Sequence, residues 1–295
     1  AGGFGTDAVK EGGKVKKRTK MTLTAVVIME LIALLLAAAY AWIESVNKPE
    51  IRGQNLSISA SSGLMIRMDG STNSEAVNLN QYLDDGRGSS FMLKECSSPD
   101  GKQMFVRDGP LEIQYSTSDE DVRMREANVT DANVRYLSQD FELIAEGNAR
   151  DVWLDAEKCS LEINSDDPSV GAKPLRLSLE FQPDGEEHVT FVFSTIPGSS
   201  MKAQIGPVSQ VDANNGQILA HASYYSADNT AGLLLRSFSS INESNPMIHL
   251  EQNQSCKVTL RVWLEGTDPD CVDAVAGNTF NLNLRFDSTQ DQTGA

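Results

Sequence analysis

The side chains best suited to chemistry are few in this 295-residue chain: three histidines, four cysteines and several short acidic runs. His188, His221 and His249 stand far apart and no His-Glu-x-x-His occurs, so the two-histidine zinc site of a metalloprotease has no support. Glu186-Glu187-His188 opens a strand pattern and reads as a surface turn. Glu265-Gly-Thr-Asp268-Pro-Asp270 offers three carboxylates on a tight stretch, the oxygen-rich set that calcium prefers. Its spacing is not that of an EF-hand, and it reads as a solvated turn. Asp84-Asp85 and Ser118-Asp-Glu-Asp121 read as loop charges. No Gly-x-Ser-x-Gly, phosphate-binding or dinucleotide fingerprint appears, so the reading assigns no catalytic residue, no metal ligand and no cofactor.

The cysteines point elsewhere. Cys96, Cys159, Cys256 and Cys271 include no Cys-x-x-Cys pair, which leaves a zinc ribbon or a thioredoxin-type site without support. An even count in an exported domain fits disulfides, with three pairings open. A Cys256–Cys271 bridge would close a loop of about 15 residues, worth about 3 kcal/mol in the chain-entropy picture.

The elements that must position these residues begin with a basic and then an apolar segment. Lys10, Lys14, Lys16, Lys17, Arg18 and Lys20 precede an apolar run from about residue 22 to 43, broken by Glu30. A positive stretch before an apolar one is the architecture of an export signal. Ala39-Tyr-Ala41 satisfies the small-x-small rule for cleavage, so the mature chain would start at Trp42. The competing reading keeps residues 22–43 as a single membrane anchor, long enough to span a bilayer. Glu30 opposes that, at about 2.5–3.5 kcal/mol for a mid-membrane charge. The organisation expected is a basic N-region over 1–21, a signal core or anchor over 22–41, and an exported domain over 42–295. That domain holds 19 bases against 38 acids. Such a balance argues against a nucleic-acid partner, which needs a basic face.

Beyond Trp42 the pattern has period two. Leu56, Ile58 and Ala60 alternate with serines, and Leu175, Leu177, Leu179 and Phe181 alternate with Arg176, Ser178 and Glu180. Val189, Phe191 and Phe193 share one face of the next run. Val258, Leu260, Val262 and Leu264 alternate with Thr259, Arg261 and Trp263, and Phe280, Leu282, Leu284 and Phe286 with Asn281, Asn283 and Arg285. Turn signals such as Pro99-Asp-Gly101 and Pro183-Asp-Gly185 separate these runs. The expected fold is mainly β: an antiparallel, jelly-roll-like β-sandwich with long loops, preceded by one N-terminal apolar helix. Short helices are expected near 119–127 and 228–238.

Ala39-Tyr-Ala-Trp-Ile-Glu-Ser-Val-Asn47, followed by Gly53-Gln-Asn-Leu56-Ser-Ile58-Ser-Ala60, resembles the start of the TasA/camelysin family of exported bacterial biofilm-fibre and cell-surface β-sandwich proteins. Val262 to Cys271 and Phe280 to Phe286 are similar to C-terminal strands in relatives of that family. The likeness covers about 60 residues in two blocks. Ile43 stands where a Phe is common, the four cysteines are a departure, and the family's metalloprotease annotation finds no zinc motif here. The resemblance implies a secreted fibre or biofilm-matrix subunit at the cell surface. Its partner would be a second copy, added head to tail, or other matrix components. Leu56, Ile58 and Ala60 would lie on a donor strand that joins the neighbour's sheet. A membrane-anchored adhesion module, held through residues 22–43, is the alternative, and an exported hydrolase with paired carboxylates is a third.

Overall fold

The computed structural model describes residues 26–34, 50–83, 92–98, 100–107, 121–127, 136–165, 174–194, 203–205, 210–211, 218–224, 235–266, 271 and 275–289. The chain divides into two compact units, Ala1–Lys48 and Pro49–Ala295. In the first, residues 26–34 form a helix with every side chain exposed. Among the described residues no helix is long and apolar enough to cross a membrane. Ala39, Ala41 and Trp42, the expected cleavage residues, lie outside the described residues.

The second unit is built of strands. The first nine are β1 (Glu50–Ala60), β2 (Leu64–Arg67), β3 (Ala76–Asn78), β4 (Met92–Cys96), β5 (Met104–Arg107), β6 (Asp121–Ala127), β7 (Leu137–Ala145), β8 (Arg150–Leu154) and β9 (Ser160–Asn164). They are followed by β10 (Leu175–Pro183), β11 (Val189–Ser194), β12 (Ala203–Ile205), β13 (Gln210–Val211) and β14 (Ile218–Tyr224). The last four are β15 (Leu235–Arg236), β16 (Ile248–Leu250), β17 (Ser255–Glu265) and β18 (Thr279–Ser288).

Thirteen of these form one large curled sheet, running β15-β11-β10-β17-β4-β1-β18-β8-β16 with β2, β3, β7 and β9 branching off the path. The curl turns at β4. Its first half pairs with β1 through Met92, Leu93 and Lys94, while Glu95 and Cys96 pair with the end of β17. The two halves share one core, where Leu177, Leu179, Phe181, Leu260 and Val262 meet Leu56, Ile58, Leu282 and Leu284. Phe141 of β7 and Phe286 of β18 lie 5.9 Å apart, ring to ring, across it. A smaller five-stranded sheet follows the order β12-β14-β6-β5, with β13 beside β14. Met104 and Val106 of β5 pack with Trp263, Val192, Leu235 and Tyr136 in a second apolar cluster. Every member of both clusters lies between Ile51 and Phe286, so Pro49–Ala295 carries a complete core of its own.

Several expectations need correction. The sheet is mixed, not antiparallel throughout: β1 pairs parallel to β18, β4 to β17 and β11 to β15. Strands from opposite ends of the chain have ample chain between them for a parallel connection, so no tight turn dictates their sense. The helix expected near 119–127 is strand β6, because ladders to β5 and β14 outweigh local helix preference. Of the stretch near 228–238, the described part is β15 and the start of a single 3-10 turn, Phe238–Ser240. Val189 is 39% exposed instead of sharing the buried face of Phe191 and Phe193. The polar face of β10 is not solvated either: Arg176, Ser178 and Glu180 are all buried.

Candidate functional site

The strand singled out by its alternation, β1, sits in the middle of the sheet. Leu56, Ile58 and Ala60 are at most 1% exposed and face the core, as period-two alternation requires. On one side β1 runs parallel to β18, with Leu56 opposite Leu282, Ile58 opposite Leu284 and Ala60 opposite Phe286. On the other side Ser57, Ile58 and Ser59 pair with β3, and Glu50 to Arg52 pair with β4. A bulge between Gly53 and Asn55 breaks the register. Gly53 fits there because a Cβ would stand 2.8 Å from Leu56 Cδ1 and 3.3 Å from Phe280. The bulged Gln54 is freed from the ladder, and its side-chain oxygen accepts from Asn164 Nδ2 and Thr279 Oγ1, both at 3.1 Å.

The opposite face of β1 and β18 is a ladder of amides and hydroxyls. Asn55 donates to Asn281 at 3.3 Å, Ser57 to Asn283 at 3.0 Å, and Asn281 to Asn164 of β9 at 3.1 Å. Asn80 reaches in from the 3-10 turn after β3 and donates to the Gln54 carbonyl at 2.6 Å. The signal for this face was present in the sequence as the residues between the apolar ones. Alternation alone marked them as solvent-facing and said nothing of their uncharged character across three strands.

A second polar cluster gathers around two buried carboxylates, Glu180 and Glu265. Glu180 of β10 is paired by Arg261 at 2.9 Å, with His188 at 3.6 Å and Lys102 at 3.7 Å. Glu265, fully buried, accepts from Ser97 Oγ and from Trp263 Nε1 at 3.0 Å. Gly101 lies against β10, where Ser178 Oγ donates to the Gly101 carbonyl at 2.5 Å. Glu265 is therefore an inward-facing anchor, while Asp268 and Asp270 lie outside the described residues, as do Asp84 and Asp85. Glu180 stands opposite Thr259, six residues before Glu265 on β17. At about 3.3 Å per residue the two carboxylates are about 20 Å apart, too far for a glycosidase-type pair. The trace of this cluster in the sequence was Trp263, a large apolar side chain on the face otherwise given to Thr259 and Arg261.

His249 of β16 pairs with Asp151 of β8 at 2.8 Å on an exposed edge, and His221 lies in β14. Among the described residues no group of three His, Cys, Asp or Glu side chains could hold a metal ion.

The expected disulfides are not formed: none of the four cysteines is bridged to another. β17 runs extended for about 30 Å, which carries Cys256 at its start away from Cys271 beyond its end. Cys256 stands opposite Pro183 and Leu143, whereas Glu265 at the other end pairs with Cys96. Burial pushes the Cys256 thiol up to about 11. Cys159 lies beside β18, accepting from the Arg285 N–H at 3.2 Å, and burial pushes it up to about 11 as well. Cys96 is raised well above the usual thiol range by burial and then by the nearby Glu265, Cys271 and Glu95. None of these surroundings favours a reactive thiolate.

No known protein family matches this chain in sequence. No curated protein matches it either. Among solved structures it is similar to one described as "AvmM Catalyzes Macrocyclization in Alchivemycin A Biosynthesis", at 11% identity over 54% of this chain and 83% of that one, with a TM-score of 0.17. A likeness that slight carries no argument about fold or chemistry.

Proposed function

We propose that this chain is an exported, TasA/camelysin-like structural protein of the cell surface, a β-sandwich subunit that assembles into fibres or matrix by exchanging its first strand. The observation that supports the reading most is the setting of β1. It opens the folded unit, which begins at Pro49, yet its core-facing side chains fill a slot between β18 and β3. A terminal strand can leave such a slot and be replaced by the same strand of a neighbour without rethreading the chain. The replacement keeps every main-chain hydrogen bond and every buried side chain. Because the exchange is head to tail, it propagates into a filament instead of closing a dimer.

The test is a reversible staple. Ser57 and Asn283 stand opposite one another in register, with their side chains 3.0 Å apart, so Ser57→Cys with Asn283→Cys can bridge β1 to β18 within one chain. Residues 42–295 carrying both substitutions are expected to form filaments by negative-stain electron microscopy when reduced, and none when oxidised. Filaments that grow regardless of the bridge would overturn strand exchange. Particles that stay monomeric under reducing conditions, in salt and at low pH, would sink the fibre reading and leave the membrane-anchored adhesion module as the working alternative.

A further inference from the structure

The outer face of β3, β1, β18 and β9 differs from what the charge of the chain leads one to expect. The chain carries a net charge of −16, yet by register this face presents rows of uncharged polar groups. One row is Asn78, Ser57, Asn283 and Ser160, and the next is Asn55 and Asn281, ending at Glu162. The charges on the face are Arg52 and Arg285 against Glu50, Glu162 and Asp287, and Glu50 is paired by Lys94 of the neighbouring β4 at 2.7 Å. Their side chains are exposed or half-buried, and no strand or helix among the described residues covers the face.

We infer that this face is where two copies of the chain meet, sheet face against sheet face, about a two-fold axis. Each amide carries both a donor and an acceptor, so a row of them is complementary to the same row on a second copy. Elsewhere the acidic excess makes like-charge contact costly, whereas on these strands two bases stand against three acids, one of them paired by Lys94, so two copies meeting here repel little. The 29 residues of β3, β1, β18 and β9, about 3.3 Å apart along a strand and about 4.8 Å across, cover about 460 Å² per copy, or about 900 Å² in all. That is the size of a weak, transient pairing, so association is sought at dissociation constants of about 10–100 µM. This pairing goes beyond strand exchange, which swaps β1 within an unchanged face.

The test uses Pro49–Ala295, which carries its own core, in sedimentation equilibrium up to about 500 µM. The unsubstituted unit is expected to dimerise. In a two-fold contact one substitution places two like charges in the interface, so Asn281→Glu is expected to weaken dimerisation at least about tenfold. Ala149→Glu, which adds the same charge at an exposed position between β7 and β8, outside these four strands, is expected to leave it unchanged. Mixing Asn281→Glu with Asn281→Lys is expected to restore pairing between the two variants. An unsubstituted unit that stays monomeric would overturn the inference. So would dimerisation that both charge variants leave intact, or a loss on Asn281→Glu matched by Ala149→Glu. If Asn281→Glu lowers the thermal midpoint, Asn55→Glu at the exposed bulge repeats the measurement. Strand exchange responds to the oxidised staple and pairing responds to Asn281→Glu, so the two readings fail separately.

Discussion

At the scale of single residues, the tightest constraint is at Gly63. Its φ of 86° lies in the left-handed region, and a Cβ there would fall 2.1 Å from the Arg150 guanidinium. Arg150 is itself buried and donates to the Thr289 carbonyl at 2.8 Å, so it has little room to move. Gly63→Ala is therefore expected to cost about 2–4 kcal/mol in urea unfolding, combining backbone strain with overpacking. Gly70→Ala has the same φ problem with nothing within 4 Å of the added methyl, and is expected to cost only about 1 kcal/mol. The thiols make a second residue-scale prediction. Cys159 and Cys256 hold their protons to about pH 11, whereas an unfolded thiol releases its proton near 9.0. The unfolded state then binds fewer protons across that window, so stability is full below pH 9.0 and falls as pH rises towards 11. A urea midpoint that stays flat across this range, or one whose fall survives Cys159→Ala with Cys256→Ala, would count against that account.

At the scale of elements, β17 and β18 organise the unit. β17 pairs with β10 along its whole length on one side, and with β7 and then β4 on the other. β18 lies between β1 and the pair β8 and β9. Each therefore puts one apolar face into the common core; on the outer face of β17, Lys257 is exposed while Trp263 is packed against Met104 and Val106 of β5. Leu284, at the centre of β18 and fully buried, is expected to cost about 2–5 kcal/mol on substitution by Ala. Val189→Ala, at the exposed start of β11, is expected to cost less than about 0.5 kcal/mol. Equal shifts in the urea midpoint for the two would mean that β18 is not packed as described. Asp140 of β7 shows how the outer face is held. Burial alone would raise its carboxyl, yet hydrogen bonds from Lys257 and Thr259 hold it below the usual range.

At the scale of the whole molecule, the excess of acids dominates. A net charge of −16 spread over this surface repels itself at low ionic strength. The Debye length shrinks from about 30 Å at 0.01 M salt to about 8 Å at 0.15 M, so both the thermal midpoint and any assembly are expected to rise over that range. A midpoint that is unmoved by salt would show that the ion pairs of the outer faces, such as Lys257–Asp140 and Lys94–Glu50, already offset the repulsion. Acid acts on the same excess with the opposite limit. Carboxylates held low, Asp155 by its hydrogen bond from Lys158 and Asp140 as above, contribute stability above pH 3.8 that is lost as pH falls through their folded values.

What the amino-acid sequence determined by itself was the strand character and the inward set. Leu56, Ile58, Leu282 and Leu284 are buried because a pleated strand sends alternate side chains to opposite faces whatever it pairs with. The amide ladder was legible in the same way, as the alternate residues of β1 and β18. Tertiary structure alone decided which strands pair and what covers their second face. Arg176, Glu180, Trp263 and Glu265 stand at positions that alternation marks as outward, yet they are buried: Trp263 packs with Met104 and Val106 of β5, Glu265 is held by Ser97 and Trp263, and Glu180 by Arg261. The cysteines follow the same division: their count suggested bridges, but an extended β17 holds Cys256 and Cys271 at opposite ends. Local pattern carries one period of information per strand, whereas partner and cover are contacts between residues hundreds of positions apart, as with β1 and β18.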